Sequence, residues 1–513
     1  MAIESDSQGI APLPAALSSW NPLRWLTVFG PGAIIASLTI GTGELIFSSR
    51  GGAIFGYRIL FLFLCISIAK WILVFTTARH MVLSGVHPLQ RWMQLPGPAG
   101  WLPAVFLLFA VMCFPIWVSF HASVIGDLLA GMTGTKTMGN GAVIHLWGAA
   151  VLVLVLLLAN WGGYQALEKV QLSIVTVMLL SVCVALYLFG PNWWQLVVSA
   201  VIPQSLNLPD WITSSTAPAF QEIAELGVWV EATLYVGVIG GGGYDYLAYT
   251  SYLRDKRWGA ANFDSNHSNF ELTGTSDPLV RRRLRSWLRA PLVDCSLSFL
   301  IVFIFSGVFV ASGHLILGPA HQVPGDGGFL EHQAQFVTRI HPWLYPLYVA
   351  GTLMAMLGTL YGTLEVAPTI LREAAVAFRW KNIAANQLRR ISLAWCAVGA
   401  FLVLGVSFVY QLRTGNQKPA GLTALLIPAN LFTGVMACGI ICLLNPWMDR
   451  WLDREFRLPA WQSAANMLVG MGFLLLGLKG YWDAHGWISL LILFGTLTAG
   501  AILAVIVDRS RSD

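Results

Sequence analysis

Glu44 follows Gly41-Thr42-Gly43 inside the apolar stretch 36–47, and Asp245 follows Gly240-Gly241-Gly242-Gly243-Tyr244 inside the apolar stretch 234–246. Consecutive glycines interrupt a helix, and lipid offers no partner to the backbone groups that are freed. Unwound backbone at mid-depth in a bilayer therefore survives only where it lines a cavity. Exposed carbonyls with a carboxylate bind a cation there, whereas amides at the start of a resuming half-helix bind an anion. Two such breaks in matching places of two halves point to the substrate site of a secondary transporter. The candidate substrate-binding residues are therefore Gly41, Thr42, Gly43, Glu44, Gly241, Gly242, Gly243, Tyr244 and Asp245. An N-terminal cap for each resuming half-helix is the plainer use of the two carboxylates, and the two uses are compatible.

A charge at mid-bilayer costs about 3 kcal/mol on insertion scales, so each one asks for a reason. Lys70 lies in the middle of the second apolar span. Its ammonium can hold a carboxylate partner in place, stand where another transporter keeps a coupling cation, or form a purely structural ion pair. His121, in the third span, is a proton-relay candidate or a hydrogen-bonded packing histidine. With Glu44 and Asp245, these two make up the candidate proton and coupling groups. Glu168, Lys169, Glu231, Asp294 and Glu365 fall within about two turns of a predicted membrane surface and read as snorkelling or interface pairs. Arg79 and His80 read as the cytoplasmic end of span two.

The elements that must position these groups are apolar helices. Hydrophobic residues make up 56% of the 513-residue chain and charged residues 11%, against about 25% charged in soluble proteins, so a lipid bilayer is the solvent. Windows of ~20 apolar residues predict twelve spans, at 27–49, 57–82, 102–131, 143–161, 167–189, 228–251, 290–313, 343–367, 389–412, 420–445, 459–480 and 486–507. The expected fold is an all-α polytopic membrane protein. A cytoplasmic tail (1–26) precedes a first five-span repeat (27–189). An extracellular connector (190–227) leads to a second five-span repeat (228–445), and two peripheral spans with a cytoplasmic tail (446–513) close the chain. Each repeat begins with a glycine-broken helix, and the odd count of spans inverts the second repeat across the membrane. The connector 190–227 holds no Lys or Arg, whereas 254–289, the stretch after span eight and the stretch after span ten are Arg-rich. That bias predicts both termini on the cytoplasmic side of the plasma (inner) membrane. The net charge of +5 follows topology, and no nucleic-acid partner is expected.

Seven cysteines (65, 113, 183, 295, 396, 438 and 442) are scattered in apolar spans without CxxC or Cys/His clustering, which supports neither disulfides nor structural zinc. The first twenty residues lack the basic start of a signal peptide, so insertion is expected to use the first span. No HExxH, GxSxG or phosphate-binding glycine loop appears, so an embedded enzyme is not expected and no cofactor is called for. No nucleotide-binding domain is present to power a pump, and breaks in two inverted halves favour a carrier over a channel. The oligomeric state is left open.

Several segments carry a family resemblance. Gly30-Pro31-Gly32 with the break eleven residues on, Gly52-Ala53-Ile54-Phe55-Gly56-Tyr57, and Ala78-Arg79 leading to Ser84-Gly85 resemble the opening of NRAMP-type divalent-metal transporters. Leu167-Glu168-Lys169 and the span-eight stretch from Gly351 to Gly362-Thr363 are similar to that family's segments there. The resemblance covers spans one to ten in order. It implies the LeuT-type 5+5 inverted repeat with discontinuous helices 1 and 6, alternating access and coupling to protons. The substrate motif departs from the family. Its first break reads Asp-Pro-Gly-Asn, with the Asp and Asn as metal ligands, where this chain has Gly41, Thr42, Gly43 and Glu44. Its second break carries Met-Pro-His, which fall at Gly242, Gly243 and Tyr244, so the thioether that favours soft metals is missing.

Two substrate readings stay open. In the first, Glu44 and Asp245 with carbonyls and waters form an all-oxygen site for a hard divalent cation such as Mg²⁺. In the second, the amides of Gly41–Gly43 receive the carboxylate of an amino acid or similar zwitterion, as in transporters of this fold class whose first helix breaks at Gly-Ser-Gly or Gly-Thr-Gly. Tyr235, Tyr244, Tyr246 and Tyr249 then line the pocket, although rings at helical spacing also serve as packing.

Overall fold

The computed structural model describes residues 10–19, 21, 24–25, 31–32, 36, 39–160, 176–177, 180–181, 183–184, 186–188, 190–262, 277–324, 334–335, 337–338, 341–380, 383–415 and 431–512. The first half of the expected fifth span, with Glu168 and Lys169, most of span one ahead of its break, and the start of span ten lie outside the described residues. The longer helices are labelled α1 (Thr42–Phe55), α2 (Ile59–Ser84), α3 (Trp101–Met132), α4 (Val143–Asn160), α5 (Pro218–Val238), α6 (Gly243–Asp255), α7 (Arg289–Ser312), α8 (Tyr345–Ala377), α9 (Ala385–Thr414), α10 (Ala437–Met448), α11 (Ala460–His485) and α12 (Trp487–Ser512).

Among the described residues, eight helical segments are long and apolar enough to cross a bilayer. One of them, Gly43–Ser84, joins α1 to α2 through a single 3₁₀ turn at Gly56–Arg58. α4 is a shorter apolar helix, and the sixth predicted span is split into α5 and α6. Helix α5 starts at Pro218, ten residues earlier than the apolar window, because its first turns are polar and follow a proline at N1. It is also kinked at Gly227, whose φ is +75°.

Hydrophobic pressure does not hold helices together in lipid; close approach through small residues does. α1 lies on α7 in this way, with Gly52 against the Val310 carbonyl. α3 lies on α4 likewise, with Gly126 facing Ile144 and Gly148 facing Ala122. The apolar rims of α4 (Leu154, Leu157) and α9 (Leu402, Val406) are exposed, as lipid-facing surfaces are. A Cβ on Gly52 would sit 2.0 Å from the Val310 carbonyl oxygen, which belongs to backbone and cannot yield. Gly52→Ala is expected to push α1 off α7 and cost about 2 kcal/mol, read as a lower midpoint in a thermal melt of the purified protein.

Candidate functional site

Both glycine runs break their helices. Ile40 still donates to Ala36 O at 2.8 Å, as in a helix, but the Gly41 amide turns to Thr39 O (2.8 Å) and α1 starts afresh at Thr42. At the second break α5 stops at Val238, Gly240 and Gly241 take φ of +81° and +89°, and α6 resumes at Gly243. Residues with a Cβ avoid that region, which is why glycines occupy it.

The two breaks touch. Glu44 is fully buried, and its Oε1 accepts the Gly240 amide at 2.8 Å. Its Oε2 accepts the hydroxyls of Ser306 (2.8 Å) and Ser48 (3.3 Å). The carbonyls freed by the second break are occupied as well. Lys70, fully buried on α2, donates from Nζ to Ile239 O and Gly241 O, each at 2.6 Å. The Tyr246 hydroxyl donates to Gly240 O at 2.5 Å and lies 3.3 Å from Gly241 O. Asp245 Oδ2 accepts the Gly242 amide at 2.7 Å, a one-way cap on the start of α6, since Gly242 has no side chain to return the bond.

Beside this junction lies a cavity of about 100 Å³, space for several water molecules or for an ion with part of its hydration shell. Its polar wall includes Asp245 and the hydroxyl-bearing Thr39, Thr359, Thr363 and Thr433, and its aromatic wall includes Phe114, Trp117 and Tyr244. Asp245 is the only carboxylate among its described lining residues. Gly43, Gly241 and Gly242 contribute backbone, while Cys113, Trp117 and His121 face it from one side of α3 at helical spacing. His121 stacks on Trp117 with centroids 5.7 Å apart.

Of the residues singled out by sequence, Gly43, Gly241, Gly242, Tyr244, Asp245 and His121 line the cavity. Gly41 caps α1 with its Cα pressed on Thr359, Thr42 opens α1, and Gly243 opens α6 against Ala437. Glu44 and Lys70 lie behind the cavity wall, engaged with the second break. The hydrogen-bond acceptors of Lys70 are backbone carbonyls and not a carboxylate. The expected tyrosine wall is corrected to Tyr244 alone. Tyr235 donates to Glu231 (2.7 Å) and Tyr249 to Asp294 (2.8 Å), so both rings are turned into helix packing. Among the described residues no cluster of three or more His, Cys, Asp or Glu side chains is placed to hold a metal ion. Among the described lining residues, the side-chain groups with lone pairs include the Asp245 carboxylate, the His121 imidazole, the Cys113 thiol and four threonine hydroxyls.

Sequence reasoning missed Ser48, Ser306, Thr39, Thr359, Thr363 and Thr433. A signal existed only for Thr359 and Thr363, four apart in the span-eight stretch, and for Ser48, four residues after Glu44. The Thr433 and Ser306 positions depend on packing between distant helices.

Charged pairs flank the junction. Arg50 of α1 is bonded to Glu231 of α5, a second link between the two broken helices. At the far end of α6, Arg254 donates to Glu373 of α8 (2.8 Å), and Arg79 donates to Asp449 (3.2 Å). Arg79, buried in the penultimate turn of α2, is thus tied to the segment that follows α10. Glu365 pairs with Arg389, in keeping with its reading as an interface pair. Beyond the spans, hydrogen bonds from Arg281 and then Arg285 hold the Glu455 carboxyl below its usual range.

Comparison with known proteins places this architecture. The chain superposes over 99% of its length on 99% of the Eremococcus coleocola manganese transporter, with TM-score 0.66 and 16% identity, in that protein's complex with an aromatic bis-isothiourea compound. It also matches MhsT in complex with L-phenylalanine over 88% of this chain and 98% of that one (TM-score 0.52, 13% identity). At such identities the likeness speaks to fold: a LeuT-type inverted repeat with discontinuous first and sixth spans. A stretch of 230 residues is 26% identical to the divalent metal cation transporter MntH of Ralstonia nicotianae, covering 44% of this chain and 48% of that protein. The chain therefore spans about half the length of this curated relative. Residues 32–312 match the family described as natural resistance-associated macrophage protein-like, Nramp, across both breaks. The chain is an integral multi-pass membrane protein and belongs to the Nramp family.

Proposed function

We propose that this chain is a secondary transporter whose cargo is a small cation, a divalent metal ion carried with much of its water shell. The observation that supports this most directly is the junction itself: two broken helices meet through Glu44 and Gly240 beside a polar cavity that holds Asp245. One carboxylate, four threonine hydroxyls and room for water suit a hard ion such as Mg²⁺, which dehydrates reluctantly. Among the described lining residues no thioether faces the cavity, and its one sulfur is the Cys113 thiol, set against the Asp245 carboxylate and the threonine hydroxyls. The names of the relatives, a divalent metal cation transporter and a manganese transporter, support metal as the cargo class. Inward proton movement is the proposed drive, with Asp245 and His121 as the cavity's titratable pair. The Arg-rich stretches support a plasma-membrane orientation with both termini in the cytoplasm.

A second reading is favoured by a different observation. Phe114, Trp117 and Tyr244 form an aromatic wall of the cavity that Gly43 also lines, in the first turn of α1, where helix amides have no intrahelical partner. An amino acid suits that combination of amides and rings, and MhsT, of similar fold, is known in complex with L-phenylalanine. A thermal-shift screen of purified protein against Mg²⁺, Mn²⁺ and the common amino acids separates the two. The cargo class raises the melting midpoint by mass action, and Mg²⁺ is expected to do so. Stabilisation by amino acids alone overturns the metal reading. In proteoliposomes, uptake of the stabilising ligand is expected to rise under an inward proton gradient; indifference to the pH step removes proton coupling.

A further inference from the structure

In broken-helix carriers, unwound carbonyls are where an inorganic coupling cation is held. Here the carbonyls of Ile239 and Gly241 are both taken, at 2.6 Å, by one side chain that reaches in from α2. We propose that the second break contains a monovalent-cation site permanently filled by the Lys70 ammonium, a tethered cation that replaces a diffusible coupling ion such as Na⁺.

Three features make this a built site and not an accidental contact. Lys70 is fully buried, so its charge has no recourse to water and depends on these acceptors. The cradle is shaped around the side chain: a Cβ on Gly240 would come within 3.3 Å of Lys70 Cδ and 3.3 Å of Phe299. Gly240 is thus needed for room as well as for its φ of +81°. The third carbonyl of the turn, Gly240 O, is closed by Tyr246 at 2.5 Å, so each of the three successive carbonyls has a donor. The unwound turn thereby carries a cation whether or not cargo is in the cavity, and its geometry does not depend on ion supply. The site adjoins the cavity through Gly241, but Lys70 itself is not among the cavity's lining residues.

This inference rests on the geometry of the break and not on the identity of the cargo, so its test is binding, read as thermal stability. Lys70→Ala removes a propylammonium's worth of side chain and is expected to lower the melting midpoint by about 5 °C. Millimolar n-propylammonium is expected to restore that loss saturably, with n-propanol at the same concentration having no effect. Lys70→Met, which refills the space without charge, is expected to be destabilised and not restored by propylammonium. A Lys70→Ala protein that propanol rescues as well as propylammonium, or that neither rescues, overturns the cation site. Wild-type protein provides the reading if the variants fail to fold. Its melting midpoint and its uptake are expected to be the same in Na⁺ and in choline buffer. Na⁺-dependent stabilisation or Na⁺-dependent uptake of wild type overturns the proposal.

Discussion

Asp245→Asn is expected to lower uptake into proteoliposomes by at least about 100-fold while the protein still folds. The asparagine carbonyl can accept the Gly242 amide as the aspartate now does at 2.7 Å, so the start of α6 keeps its cap. What disappears is the only carboxylate among the described residues lining the cavity. A unit charge 4 Å from a cation is worth about 4 kcal/mol at an effective dielectric constant of 20, and about 3 kcal/mol of lost affinity is already a factor of ~100. Asp245→Ala adds the loss of the cap, about 1 kcal/mol, visible as a lower melting midpoint that the asparagine variant does not share. Uptake at wild-type rates by Asp245→Asn, with binding unchanged in the thermal-shift screen, would remove Asp245 from the site.

Glu44 is expected to behave differently, because it faces away from the cavity. Glu44→Ala leaves the Gly240 amide and the Ser48 and Ser306 hydroxyls buried without their acceptor. Each such loss costs about 1–3 kcal/mol, and the two breaks lose the bond that joins them. We expect a destabilisation of about 4 kcal/mol, measured by thermal or denaturant unfolding, and no measurable uptake. Glu44→Gln is expected to be mild. Its carbonyl serves the Gly240 amide, its NH₂ donates to the serines, and those hydroxyls rotate to accept. A cost of about 1 kcal/mol and uptake within tenfold of wild type are the expected results. If Glu44→Gln instead folds normally but transports nothing, Glu44 is a ligand or proton carrier and not a clasp.

The contrast between these two carboxylates shows where reading along the chain stops. Both follow glycine runs in apolar stretches, and sequence treats them alike, as twin ligands of one site. Their separation is geometric. Glu44 lies in the first turn of α1 with Ser48 one turn on, and α7 brings Ser306 to the same spot. Asp245 folds back on its own helix start and leaves its remaining surface to the cavity. Tyr235, Tyr246 and Tyr249 were as plausible a pocket wall as Tyr244, but helical periodicity cannot say which face is packed when every face is apolar.

Span lengths, the two unwound points and the membership of the Nramp family were legible in residue order. Glycine, proline and long apolar runs act locally, through φ preferences and the absence of hydrogen-bond partners in lipid. The acceptor set of Lys70, the turning of Glu44 away from the cavity and the places of Thr39 and Thr433 in the cavity wall were decided by tertiary structure alone. Each depends on two or more helices far apart in the chain arriving at one point, as α2 does at the carbonyls of Ile239 and Gly241. Residue order specifies which groups must be satisfied at that depth. Only the packed bundle specifies by what.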